Sequence, residues 1–185
     1  MNAQGGDDDD TLIAQALGGD NAAFSTLMSR HKDPLYRFVR RYVGDADESF
    51  DLVQETFVAS WSALISFERG RSFPVWLRRI ALNKCRDWSR RRHVRRFFFG
   101  ARPIEAADKM PAAPVEDGPH QARLAALDAA IAALPQALKE PLLLTAFDDM
   151  PQAEAGALLG ITAKAVETRV YRAKQALRDA LKGLE

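Results

Sequence analysis

The sequence predicts an all-α protein of two small helical domains joined by a flexible linker, the second a helix-turn-helix. Three observations carry this reading. Apolar residues recur at helical spacing through most of the chain, and no run of alternating β-branched residues suggests a strand. Residues 97–119, FFFGARPIEAADKMPAAPVEDGP, hold four prolines (Pro103, Pro111, Pro114 and Pro119) among alanines and scattered acids, a composition without regular structure. Near the C-terminus, PQAEAGALLGITAKAVETRVYRAKQAL has the form of a helix, a tight glycine-containing turn and a second helix. The predicted division is residues 10–96, a linker over 97–119, and residues 120–182.

Each element has its own local signals. Asp10 or Thr11 is placed to cap a short helix, TLIAQAL, which Gly18-Gly19 ends. Asp20 is placed to cap the next, in which Phe24, Leu27, Met28, Leu35, Phe38, Val39 and Tyr42 recur at mostly helical spacing. Pro34 predicts a kink or a break there, and Gly44 closes the helix. A third helix is expected from about Asp47 to Leu64, with Phe50, Val53, Phe57, Trp61 and Leu64 as one apolar stripe. Asp51, Gln54 and Glu55 lie together on a neighbouring face. After the loop SFERGRSFP a fourth helix follows, and beyond the linker come QARLAALDAAIAAL and PQALKEPLLLTAF, the latter with Pro141 as an irregularity.

Charge is distributed unevenly. The chain carries 26 Lys and Arg against 25 Asp and Glu, a formal net charge of +1. Trp76 to Arg96 alone carries nine bases and one acid, so +8 sits in 21 residues and the remainder is −7. For a polyanionic partner the local field outweighs the sum. In this stretch Val75, Leu77, Ile80, Ala81 and Trp88 are predicted to face a core. Arg78, Arg79, Lys84, Arg86 and Arg90 to Arg92 then populate the exposed face, spaced to follow a phosphate backbone. Phe67, Phe73, Trp76 and Asn83 lie at the loop–helix junction. Aromatic surfaces and hydrogen-bonding edges are what unstacked bases of single-stranded DNA require.

In the C-terminal motif Gly160 suits a positive φ at the turn, and Thr162 is placed to cap the second helix. Val166, Val170, Ala173, Leu177 and Leu181 fall within about 80° of arc and make a buried face. Lys164, Thr168, Tyr171, Arg172 and Gln175 point the other way, offering cations, hydroxyls and an amide to phosphates and base edges in a major groove.

Other functions find little support. His31, His93 and His120 are scattered without ligand spacing, and Cys85 is the sole cysteine, so no metal site or disulfide is predicted. There is no glycine-rich phosphate loop or nucleophile motif, so neither a cofactor nor an enzyme activity is expected. No apolar run reaches the roughly 18 residues of a membrane span, and the acidic N-terminus lacks a signal-peptide pattern. A cytoplasmic protein without membrane insertion is expected. Phe97 to Phe99 either fold back on the first domain or anchor a partner.

Four blocks, AAFSTLMSRHKDPLYRFVRRYVGD, DLVQETFVASW, FPVWLRRIALNKCRDW and LLGITAKAVETRVYRAKQAL, resemble in order those of the extracytoplasmic-function (ECF) sigma factors of the sigma-70 family. The resemblance covers about residues 10–182. It implies a first domain, sigma region 2, that binds the β′ clamp helices of core RNA polymerase, melts the promoter −10 element and captures its non-template strand. A second, region 4, would read the −35 element as duplex and meet the β flap. An anti-sigma factor is the implied inhibitor; no small-molecule substrate is implied.

Matched position by position, Asp51, Gln54 and Glu55 correspond to the polymerase-docking face. Phe67 lies beneath the pocket for a flipped −10 base, Asn83 is near it, and Trp76 is a core or wedge residue. Arg78, Arg79 and Lys84 serve the adjacent backbone. Lys164, Glu167, Thr168, Tyr171 and Arg172 fall on the −35-reading helix. Three departures stand out. Glu167 replaces a usual base, so it either accepts from a cytosine amino group or does not touch DNA. Phe50 replaces a frequent acid in the docking patch. Ala155-Gly156 replace a larger pair, at a helix-propensity cost of about 1 kcal/mol for glycine relative to alanine.

Overall fold

The computed structural model describes residues 4–98 and 119–182. Among these the chain is helical and holds no strand, as the periodicity predicts. It divides into two compact units between Arg86 and Asp87, inside a continuous helix.

The N-terminal unit is built from α1 (Gln4–Leu17), α2 (Asn21–Val43), α3 (Ala46–Ala63) and the first half of α4 (Phe73–Phe98). α2 packs against both α1 and α3. Asp20 caps α2 as expected, its carboxylate accepting from the backbone N–H of Ala22 at 2.8 Å and of Ala23 at 3.3 Å. Gly44 ends α2 in the left-handed region at φ 83°, its N–H reaching the Arg40 carbonyl. Two local expectations need correction. α1 begins at Gln4, so Asp10 and Thr11 lie within it and not at its cap. The break expected as one alternative at Pro34 is absent, since α2 runs continuously through it. Leu27, Leu35, Phe38, Val39 and Tyr42 are all buried around that position, and their packing outweighs the one backbone hydrogen bond the proline forgoes.

The stripe expected on α3 is split. Val53, Phe57 and Leu64 are buried, whereas Phe50 and Trp61 remain 47% and 41% exposed. Ser49, Thr56 and Ser60 are buried instead, each hydroxyl returning to a carbonyl three or four residues earlier. Such local bonds satisfy the hydroxyl without a distant partner. α3 ends in a short 3₁₀ turn, Leu64–Ser66. α4 extends to Phe98, two residues into the segment read as linker; the remainder of that segment up to Gly118, with Phe99, lies outside the described residues.

The C-terminal unit contains α5 (Pro119–Ala133), α6 (Gln136–Leu142), α7 (Gln152–Leu159) and α8 (Ala163–Leu181), with α8 packing on the other three. The irregularity expected at Pro141 is a π-turn over Leu143–Phe147. The Thr145 hydroxyl donates to the Pro141 carbonyl at 2.8 Å. Ile131, Leu143 and Leu144 are the largest fully buried side chains here.

The turn between α7 and α8 follows the sequence closely. Gly160 has φ 70°, and Thr162 caps α8 by accepting from the Ala165 N–H at 3.1 Å. Gly156 has a steric reason: a Cβ there would lie 2.7 Å from the Ile161 carbonyl oxygen. Gly156→Ala is therefore expected to lower the melting temperature of the C-terminal unit. Its helix-propensity gain of about 1 kcal/mol is outweighed by an overpacking cost of roughly 1–3 kcal/mol. A higher midpoint in calorimetry would show that the turn relaxes freely.

Candidate nucleic-acid interface

The loop before α4 and its first turns gather the aromatic residues. Phe67 closes the 3₁₀ turn and is buried, with Phe73 at the start of α4 buried beside it. The Phe67 ring meets Phe73 edge-on at 5.9 Å between centroids and Trp76 at 5.3 Å; Phe73 and Trp76 are 5.6 Å apart. Trp76 is half-buried, so it forms the part of this cluster that reaches the surface. Edge and tilted contacts of this kind stabilise aromatic clusters beyond their burial alone.

Further along α4 the predicted cationic face is only partly realised. Arg79 and Asn83 are exposed, Lys84 is partly covered, and Arg90, Arg91 and Arg92 are exposed. Arg78 is a correction: it is 7% exposed, with its guanidinium stacked 5.0 Å above the Phe38 ring of α2. An arginine stem covers apolar surface well, and its planar head is weakly hydrated enough to rest on an aromatic face. Ala81 and Leu77 are buried as predicted, while Val75 and Ile80 are only half-covered. Leu82 and Cys85 join the core.

On α3, Asp51, Gln54 and Glu55 are all exposed. Glu55 accepts a hydrogen bond from Lys84 at 3.2 Å, joining a residue read as polymerase-facing to one read as DNA-facing. Both are substantially solvated, so the pair contributes at most about 1 kcal/mol and exchanges readily for other partners. Beside Gln54 an apolar groove of about 680 Å³ opens between α2 and α3. Phe24, Met28, Phe50, Phe57, Val58 and Trp61 line it, the rings of Phe24 and Trp61 lying 4.7 Å apart. The unexpected Phe50 is thus part of a groove wall.

α8 presents Lys164, Glu167, Thr168, Tyr171 and Arg172 to solvent on one side, while Val166, Ala173 and Leu177 are buried on the other. Lys164 and Glu167 form an exposed ion pair at 2.8 Å, and Gln175 donates to the Tyr171 hydroxyl at 2.9 Å.

One cluster escaped the sequence reading. Asp9 of α1 is buried and accepts from Arg30 and, at 2.8 Å, from His31 Nε2, both on α2. The His31 ring lies 5.2 Å from that of Phe73. Burial holds the His31 imidazole below its ordinary pKa; Asp9 opposes this, while Arg30 and Arg78 add to it. A neutral His31 facing a carboxylate carries its proton on Nε2. Nothing in the sequence separates Asp9 from the three aspartates beside it. Among the described residues no group of three or more His, Cys, Asp or Glu side chains is placed to hold a metal ion.

The family model for Sigma-70 region 2 matches residues 27–95, and that for Sigma-70 region 4 matches residues 124–177. The chain is 42% identical over 183 residues to the RNA polymerase sigma factor CnrH of Cupriavidus metallidurans, covering 95% of each. It is 40% identical over 175 residues to the RNA polymerase sigma factor NccH of Alcaligenes xylosoxydans xylosoxydans, covering 94% of each. Among solved structures it resembles CnrH in complex with the cytosolic domain of CnrY, with a TM-score of 0.71 and 34% identity over 95% of this chain and 98% of that one. It also resembles the sigma factor RpoE bound to the anti-sigma factor NepR from Bartonella quintana, with a TM-score of 0.65 and 25% identity over 86% and 96%. The chain belongs to the ECF group of the sigma-70 family of RNA polymerase sigma factors.

Proposed function

We propose a division of labour within this initiation factor. Residues 10–96 dock on core polymerase and open the −10 element, residues 97–119 act as a linker, and residues 120–182 read the −35 duplex. Asp51, Gln54 and Glu55 meet the basic clamp surface of polymerase, since an acidic patch on a helix suits a basic partner. Phe67 supports Trp76 beneath a captured −10 base, Asn83 offers that base a hydrogen-bonding edge, and Arg79 and Lys84 hold the adjacent phosphates. Lys164, Glu167, Thr168, Tyr171 and Arg172 enter the −35 major groove. RNA synthesis itself is polymerase chemistry, so the chain acts as a specificity factor rather than an enzyme, in the cytoplasm where polymerase and promoter are. Among the described residues no helix is long and apolar enough to cross a membrane.

The observation that carries this reading is the placement of half-exposed Trp76 on buried Phe67 and Phe73, at the head of a helix that exposes Arg79 and Asn83. Stacking in DNA is worth on average about 1.4 kcal/mol per base-pair step, and a base stacked on an aromatic returns about 1–3 kcal/mol. A domain this small needs polymerase contacts to make opening favourable overall. Control by an anti-sigma factor fits the similarity to a sigma factor solved with the anti-sigma factor NepR and to CnrH solved with the cytosolic domain of CnrY. The groove between α2 and α3 offers apolar surface for an amphipathic segment of that partner.

Run-off transcription with core polymerase on host genomic fragments tests the function, together with gel shifts of the same fragments. RNA synthesis from discrete starts, with tight promoter retention only in holoenzyme, is expected. Equal retention with and without polymerase would contradict the division proposed.

A further inference from the structure

α1 lies outside both family-matched segments, yet it is wired into the aromatic junction. The Asp9 carboxylate is buried between Arg30 and His31. The His31 ring leans on Phe73, and Phe73 touches both Phe67 and Trp76. His31 and Phe73 belong to α2 and α4, so one carboxylate on α1 bears, through a single imidazole, on the ring at the centre of the cluster. Phe73 is 2% exposed, with no solvent side into which it could shift. A packed core of this kind transmits a displacement instead of absorbing it.

We propose that α1 is part of the strand-capture device: Asp9 fixes the His31 ring, and His31, as a positioning residue, sets Phe73 and so the pose of Trp76 that receives the unstacked base. This rests on the reading of Phe67 and Trp76 as the −10 pocket. A side chain held in one pose before the strand arrives loses less freedom on capture. The charged groups that interact with His31 are Asp9 from α1, Arg30 from α2 and Arg78 from α4. Protonating His31 places a third cation beside the two arginines. Its pKa is depressed in the folded protein. The packing it supports is therefore fully present above the ordinary histidine pKa and is lost as pH falls through the folded value.

The test uses holoenzyme assembled from the full chain and core polymerase, on a genomic fragment from which it starts RNA. Permanganate reactivity of the −10 thymines gives the opening rate per bound complex. Asp9→Asn, and His31→Phe, which keeps a ring on Phe73 but cannot donate to Asp9, are expected to slow opening about tenfold, a coupling of the size that contacting residues carry. Polymerase affinity and retention on the closed duplex should stay within about twofold, as for changes remote from those surfaces. The ratio of wild-type to His31→Phe opening rates should also shrink as pH is lowered below the ordinary histidine pKa of about 6.5, because only the wild type can take up a proton at position 31; polymerase groups cancel in the ratio. If opening, duplex retention and polymerase affinity all fall together with thermal stability, α1 is a structural support alone and the proposal is overturned. It is also overturned if both variants open at the wild-type rate. Normal opening by Trp76→Ala would instead remove the pocket itself, a distinct result.

Discussion

Replacing Phe67 with alanine is expected to cost about 3–5 kcal/mol of stability, the usual range for emptying a buried phenylalanine site. It should abolish promoter opening as well. The ring is buried and has edge contacts with Phe73 and Trp76 at 5.9 and 5.3 Å, so its loss removes the floor of the cluster. In a domain whose total stability is of order 5–15 kcal/mol, that is a large fraction. Loss of opening in this variant alone would not separate base capture from unfolding. Phe67→Leu does: it restores most of the volume but forfeits aromatic contacts worth about 0.5–1.5 kcal/mol each. Urea denaturation of the chain should show Phe67→Leu folded at 25 °C, while permanganate footprinting of its holoenzyme should show weakened opening with the closed complex intact. Opening by Phe67→Leu at the wild-type rate would mean that Phe67 is only a core residue. Asn83 is exposed, so Asn83→Ala tests the hydrogen-bonding edge without disturbing the core.

The adjacent arginines of α4 are expected to fail in opposite ways. Arg78→Ala should lower stability by about 2 kcal/mol, through the lost stacking on Phe38 and the lost packing of its stem. The salt dependence of promoter binding by the folded fraction should not change. Arg79→Ala, on the exposed side, should alter stability by less than about 0.5 kcal/mol. It should reduce the slope of log binding constant against log salt by about one, the signature of a lost phosphate contact. Holoenzyme titrations at several salt concentrations, with urea midpoints for each variant, provide both measurements. A full salt-slope effect from Arg78→Ala at unchanged stability would return Arg78 to the DNA surface.

The sequence alone determined those features that depend on neighbours along the chain. The end of α2 at Gly44, the caps Asp20 and Thr162, the Gly160 turn and the two-sided character of α8 all follow from 3.6-residue periodicity and local hydrogen bonding. The ordered blocks identified the family, because four motifs in a fixed order constrain more than any single motif. Tertiary structure decided what depends on approach between helices. Periodicity assigns a side chain to a face of its own helix, but a second helix determines whether that face meets solvent. Thus Arg78, read as exposed, is covered by α2, and Phe50, read as one apolar stripe with the buried Val53 and Phe57, lines an open groove. Glu55 meets Lys84 although 29 residues separate them, and Asp9 meets His31 across 22. A buried carboxylate needs partners to compensate its lost hydration; that Asp9 finds them in Arg30 and His31 is settled only when α1 docks on α2.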